Sequence, residues 1–275
     1  MPEGLIVSIV IGSYNRRKFL KSTIESVRVE LRNFAHEIIV VDGGSDDGTL
    51  EWLVKQKDIL TIIQHNRGEW QGKPIERESW GYFMNLGFKA AKGKYVCMLS
   101  DDCLVVPDAI KSGVDLFERY LKRGYKVGAV AFYWRNWPKQ KSYWVGLTFG
   151  NKMFVNHGLY LNSALERIGY ADEDSYTFYH ADGDICLRLS EKGYTCIDSP
   201  NSYIEHYSHA NVKVRKSNLA TQKEDWDTYT RRWRRLGIPK EGGWVSKEFT
   251  DRTNTVDRYW GRFGWVRKLV EKLNR

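Results

Sequence analysis

Ser100, Asp101 and Asp102 close a short apolar run, Tyr95 to Leu99. Its aromatic and β-branched members fit a strand buried on both faces. In an open parallel sheet, ligands bind beyond the carboxyl ends of the strands. Two adjacent carboxylates there form a hard-oxygen site suited to Mg²⁺ or Mn²⁺, and through the cation to a diphosphate. The plainer reading is a polar turn in which Asp102 or Asp108 caps the next helix. Asp42 ends a second apolar run, Glu37 to Val41, and heads the loop Asp42-Gly-Gly-Ser-Asp-Asp-Gly-Thr49. Such a loop lets backbone approach a ligand closely, and its carboxylate can accept from a ring N–H or a ribose hydroxyl. It matches neither Gly-x-Gly-x-x-Gly nor the P-loop pattern, which argues against nicotinamide and Walker-type sites.

Asp182 and Asp184 open a helical pattern that runs to Lys192. Carboxylates are favoured there by the helix dipole, so capping competes with a general base held near a cation. His206 and His209 lie near the end of the last strand-like segment. His206 is balanced between a metal or phosphate contact and an ordinary satisfied histidine.

The elements that must position these groups alternate. Leu5 to Ile11 reads as a strand, and Asn15 as the cap of a helix carrying Phe19, Leu20, Ile24, Val27 and Leu31. Further strands are expected at 37–41 and 59–64, with a helix over 49–56 between them. Strand–helix–strand–helix–strand with short connections implies right-handed crossovers and a parallel sheet. Residues 66–80 read as a loop and 78–92 as a helix stopped by Gly93. Pro107 falls in the first turn of a helix reaching Arg123, and 128–134 is a strand. Phe154 to Leu161 reads as extended, 162–168 as a short helix. Two strands, 195–197 and 203–207, flank Asp198 to Asn201. The last segment is basic and aromatic: Asp225 to Leu236 holds Trp226, Tyr229, Trp233 and four arginines, and a helix is expected from Val256 to Leu273.

Composition sets the outer limits. The chain has 275 residues and a net charge of +9, which favours anionic partners. Four cysteines without a Cys-x-x-Cys pair argue against zinc or a disulfide framework and suit a reducing compartment. Met-Pro-Glu-Gly has no basic region followed by an apolar core, and no run is long enough to span a bilayer. A cytoplasmic location is expected, with peripheral contact on the inner face of a membrane as the alternative. The amphipathic stretch after Val256 would supply that contact, or would dock on the rest of the chain.

Five segments together resemble the ordered motifs of family 2 glycosyltransferases: Val7-Ser-Ile-Val-Ile-Gly-Ser-Tyr-Asn15, Ile39 to Thr49, Asn85-Leu-Gly to Tyr95, Leu99-Ser-Asp-Asp102 and Asp182-Gly-Asp-Ile-Cys-Leu-Arg-Leu189. The resemblance implies an α/β, GT-A fold, Rossmann-like, with a mostly parallel central sheet flanked by helices. Residues 1–210 would form the catalytic domain, 1–102 binding nucleotide-sugar and 103–210 the acceptor. Residues 211–275 would be a C-terminal helical, basic-aromatic extension.

It also implies roles. Ser13 and Tyr14 would line the nucleotide pocket and Asp42 would hydrogen-bond the base, uracil being favoured. Asp102 would match the final aspartate of the Asp-x-Asp motif, holding Mn²⁺ or Mg²⁺, with His206 touching metal or phosphate. Asp182 would be the base in an inverting transfer to a hydroxyl of a glycan or lipid-linked acceptor. Arg188 would orient that base or be structural; Asn85 and Asp184 are further candidates. Three positions depart from the pattern: Ser100 replaces the first motif aspartate, Ala181 the usual glutamate, and Met84 a common arginine. Asp101, also counted with the nucleotide site, or a water would then complete the metal shell. Two rivals stand beside this reading. One is a catalytically inactive sugar-nucleotide-binding domain; the other is a nucleic-acid-binding module, which the carboxylate-ended strands disfavour.

Overall fold

A computed structural model describes residue 4 and residues 6–137, 140–207, 212–239 and 243–247. In chain order the first half comprises β1 (Val7–Ser13), α1 (Arg17–Glu30), β2 (His36–Asp42), α2 (Thr49–Leu53) and β3 (Ile59–Ile63). A small hairpin follows, β4 (Glu69–Trp70) and β5 (Lys73–Pro74), then α3 (Trp80–Ala90) and β6 (Tyr95–Ser100). The second half comprises β7 (Cys103–Val105), α4 (Ala109–Lys122), β8 (Val127–Asn136), β9 (Tyr143–Thr148), β10 (Lys152–Phe154) and β11 (Gly158–Leu161). It continues with α5 (Asn162–Arg167), α6 (Ala181–Glu191), β12 (Thr195–His206), α7 (Val212–Leu219), α8 (Gln222–Trp233) and β13 (Trp244–Lys247).

The sheet runs β10-β9-β8-β11-β6-β1-β2-β3. Its first-half strands, β3, β2, β1 and β6, pair in parallel as the alternating pattern requires. β11 then runs antiparallel to both β6 and β8. The chain winds outward from β1 to β3 and returns to β6 on the other side of β1. This reversal opens a crevice at the carboxyl ends. Register keeps those ends level: Ser13 lies beside Asp42, and Gly12 beside Ser100.

Period-two alternation divides the core. Val7, Ile9 and Ile11 meet α1 and α4 through Leu20, Ile24, Val27, Val114 and Phe117. Val10 and Ile39 face the other way, against Met84, Phe88 and the α6 residues Ile185 and Leu189. Gly87 explains the Asn-x-Gly motif: a Cβ there would come within 2.5 Å of Val10 Cγ1, so only glycine lets α3 lie this close to the sheet.

Several local expectations are corrected. Asn15 does not cap α1; it sits at φ 53° and its Oδ1 accepts from the Asp46 N–H. Asp108 occupies the N-cap position of α4 but its side chain makes no capping bond, Asp102 lies outside the cap, and Pro107 precedes the helix. The buried Glu30 carboxylate, at the end of α1, accepts from the N–H groups of Asp108, Ile110 and Lys111. Helix 49–56 ends at Leu53, and the 66–80 loop contains the hairpin. The helix expected over 78–92 is shorter, with Ser79 as its cap. Residues 154–161 are not one extended segment but hold the end of β10 and all of β11. The two strands expected around Asp198–Asn201 are one strand, β12, with a register shift between Ser199 and Tyr203. The helix expected from Val256 to Leu273 lies outside the described residues.

Removing the Glu30 carboxylate leaves three N–H groups at the α4 start without their acceptor. Glu30→Ala is expected to destabilise the protein by about 1–2 kcal/mol in urea unfolding.

Candidate functional site

A cavity of about 370 Å³ opens at the carboxyl ends of β1 and β6. Its walls include Ser13, Tyr14, Arg16, Arg67, Arg77, Asp101, Asp102, Asn156, His180, Asp182 and His206. Six sequence-level candidates therefore meet here: Ser13, Tyr14, Asp101, Asp102, Asp182 and His206.

Asp101 and Asp102 are both buried, which makes two adjacent charges costly unless neutralised. Arg16 does this. Its Nη1 donates to Asp101 Oδ1 at 2.7 Å and to Asp102 Oδ2 at 2.8 Å. Ser13 Oγ donates to the other oxygen of Asp101 at 2.9 Å. Burial and the neighbouring Asp102 push the Asp101 carboxyl up to about 6, against the pull of Arg16. Burial raises Asp102 as well, but Arg16 and the His206 ring outweigh it and hold that carboxyl well below the usual range.

Strand pairing brings His206 to this place. It stands opposite Cys103 of β7 and beside Asn136 of β8. Its Nε2 lies 3.3 Å from Asp102 Oδ1, and its Nδ1 lies 3.2 Å from Asn136 Oδ1.

Asp182 reaches the same cavity from the first turn of α6. Its Oδ1 accepts from the Gly183 N–H at 2.8 Å, and its Oδ2 from Asn156 Nδ2 at 3.3 Å. Burial raises its pKa above the ordinary aspartate value, against those two bonds and His180. A carboxylate poised upward in this way is a better proton acceptor than an exposed one.

The remaining candidates lie elsewhere. Asp42 is buried and is not among the cavity walls, although Gly43 is. Its oxygens accept from the N–H groups of Gly44 and Ser45 and from Ser45 Oγ, and Gly44 at φ +87° closes the turn. Asp184 faces away from the cavity, accepting from Tyr176 Oη, Trp233 Nε1 and Arg188 Nε. Arg188 thus pairs with Asp184 and with the carbonyls of Ile168 and Tyr170, and no bond joins it to Asp182. Asn85 ties α3 to the Ala171 backbone in both directions.

The sequence profile described as Glycosyl transferase family 2 matches residues 8–170. The chain belongs to glycosyl transferase family 2. Asp182 and His206 lie beyond the matched stretch. Chondroitin synthase of Escherichia coli is 32% identical over 112 residues, 39% of this chain and 14% of that protein. Poly-beta-1,6-N-acetyl-D-glucosamine synthase of Staphylococcus aureus is 29% identical over 128 residues, 45% of this chain and 27% of that one. The chain thus spans about a third or less of the curated relatives it matches. A Pyrobaculum calidifontis mannosyltransferase, solved with GDP-Man and Mn²⁺, superposes at a TM-score of 0.58 and 16% identity. That match covers 84% of this chain and 65% of the other, and shows the shared GT-A fold.

Among the described residues no three His, Cys, Asp or Glu side chains converge on one cation position. The donor pair Asp102 and His206 nonetheless fits a divalent ion. Asp102 Oδ1 is buried without a hydrogen-bond partner and faces the imidazole Nε2. A cation taking one carboxylate oxygen and one imidazole nitrogen would complete its shell from phosphate and water.

Arg16, Arg67, Arg77, Asn156 and His180 were not singled out from the sequence. Only Arg16 carried a signal, standing next to the Ser13-Tyr-Asn15 motif. A further residue, Asp225 of α8, shapes the site without lining it. Its buried carboxylate accepts from three consecutive N–H groups, Thr177 at 2.7 Å, Phe178 at 2.9 Å and Tyr179 at 2.8 Å. These lead directly into His180, which sits at φ 68° and stacks on Tyr229 of α8 with ring centroids 5.0 Å apart.

Asp225→Ala is expected to lower stability by about 2–4 kcal/mol in urea unfolding, because three buried N–H groups lose a charged acceptor.

Proposed function

We propose that this chain moves a sugar from a nucleoside-diphosphate donor, a UDP-sugar being favoured, to a hydroxyl of a glycan or lipid-linked acceptor. The observation that carries the reading is that Asp102, in the turn after β6, and Asp182, in the first turn of α6, line one cavity although 80 positions part them in the chain. In this reading Tyr14 and Ser13 take the nucleoside side. Asp102 and His206 hold Mn²⁺ or Mg²⁺, which when bound supplies positive charge to the departing diphosphate. Asp182 accepts the proton of the attacking acceptor hydroxyl, and attack from the face opposite the leaving group inverts the anomeric centre. Asn156 and the Gly183 N–H keep the carboxylate aimed. Asp42, through the turn it closes, sets where Gly43 meets the base.

The named relatives support a glycan acceptor, and the mannosyltransferase solved with Mn²⁺ supports the cation. Four free cysteines suit a reducing, cytoplasmic setting. Residues 211–275 are read as an extension of the 1–210 catalytic domain, with α7, α8 and β13 in its described part, β13 pairing with β9 of the main sheet. A second reading, nucleotide binding without turnover, draws on Arg16, which already pairs with both members of the acidic pair.

Asp182→Asn is expected to reduce kcat by about 10²–10⁴-fold while the nucleotide Kd stays within about twofold. Equal loss of both would point to a structural role, and an inactive wild-type chain that binds nucleotide would favour the second reading. Below its raised pKa Asp182 is protonated and is no base. The acid limb of kcat/KM should therefore fall at a pH above that of an ordinary aspartate, about 4. In a thermal-shift panel of UDP, GDP, dTDP and CMP with and without Mn²⁺, UDP with Mn²⁺ should raise Tm most.

A further inference from the structure

Two arginines on the cavity wall, Arg67 and Arg77, have no carboxylate in contact among the described residues, and Asp225 acts on Arg77 only through space. Arg67 donates to Ser217 Oγ at 2.7 Å and to Asn218 Oδ1 at 2.6 Å. Arg77 donates to the same Asn218 oxygen at 3.0 Å, and its Nε is buried without a partner. Among the described residues neither forms an ion pair, whereas Arg16, Arg135, Arg188 and Arg232 each do. Two like charges sharing one neutral oxygen in a half-buried site repel each other. Burial and the nearby Arg77 push the Arg67 guanidinium down to about 10. An anion between them would remove that penalty.

The fold builds this pair deliberately. Arg67 precedes the β4–β5 hairpin and Arg77 follows it, and the Ile75 N–H donates to the Gly68 carbonyl at 2.9 Å to close the neck. Arg67 lies over the Tyr14 ring at 5.8 Å, and Arg77 over the Phe178 ring at 5.5 Å. The pair therefore spans from the nucleoside wall to the segment entering α6. Arg16 is committed to Asp101 and Asp102 and brings no spare charge. Met84, at the position where the resemblance places an arginine, faces the same cavity without one.

We infer that Arg67 and Arg77, held by Asn218 of α7, form a two-guanidinium clamp for phosphoryl oxygens of the donor's diphosphate. The planar guanidinium fork matches phosphate in a way a point charge does not. This rests on the nucleotide-sugar reading above. It makes the α7 segment part of the donor site, and it relocates the leaving-group cation from α3 to the hairpin neck.

Calorimetry on the full chain with UDP and with uridine, both with Mn²⁺, tests it. Arg67→Gln and Arg77→Gln should each raise the UDP Kd by about tenfold or more and the uridine Kd by less than about twofold. Arg67→Lys and Arg77→Lys keep the charge but lose the fork, and should fall between wild type and the glutamine variants. Unchanged UDP affinity in folded glutamine variants overturns the clamp. If in those variants the KM for a phosphate-bearing acceptor rises instead, the arginines read the acceptor. If the wild-type chain binds none of UDP, GDP and dTDP, the nucleotide-sugar reading itself fails, and the clamp with it.

Discussion

Two buried carboxylates on consecutive residues are the constraint around which this cavity is built. Asp101 and Asp102 lie just beyond the end of β6 and are buried. One guanidinium nitrogen of Arg16 meets both, within 2.8 Å. The cost of burying this cluster is offset only while β1, α1 and β6 hold their mutual register. Ser13, Thr23 and Tyr207 tighten it further: Ser13 bonds the Asp101 carboxylate, Thr23 Oγ1 the Asp101 carbonyl, and the Tyr207 N–H the Asp102 carbonyl. What the cluster leaves over is a single orphaned oxygen, Asp102 Oδ1, turned toward His206.

The α6 side of the cavity is assembled by a different logic. Asp182 owes its position to α6, but the segment entering α6 is pinned by α8 through Asp225, and α6 itself by the Asp184–Trp233 bond at 2.8 Å. Tyr229 and Trp233 of α8 complete a small core with Phe149, Tyr176, Ala181 and Leu187. The family match ends at residue 170, so the wall carrying the proposed base is shaped by chain beyond it. α7 extends the same principle to the anion side through Asn218.

Much of this was legible from residue order. β1, β2, β3 and β6 announce themselves as apolar runs ended by Gly, Asp or Ser, and their parallel pairing follows from the short connections between them. The Asn85-x-Gly87 motif and the acidic ends at Asp42 and Asp102 were equally plain. The misreadings share one cause. Asn15 and Asp108 have residue types that cap helices in isolation, yet Glu30, folded back against the start of α4, outcompetes Asp108, and Asn15 is drawn to the Asp46 N–H. Asp198 to Asn201 looked like a turn, but pairing with β8 carries the strand through it as a bulge. Asp184 and Asp182 were equivalent in type and spacing; only the packing of α8 sends one inward to Trp233 and leaves the other at the cavity.

By itself the sequence determined the alternating strands and helices, the parallel half of the sheet and the carboxylates at its rim, because those follow from local period and residue type. Tertiary structure alone decided which charges meet. Arg16 finds Asp101 across 85 positions, and Arg67 finds Asn218 across 151. Electrostatic pairing depends on separation through space and on the water excluded around it, and neither is written in the order of the residues.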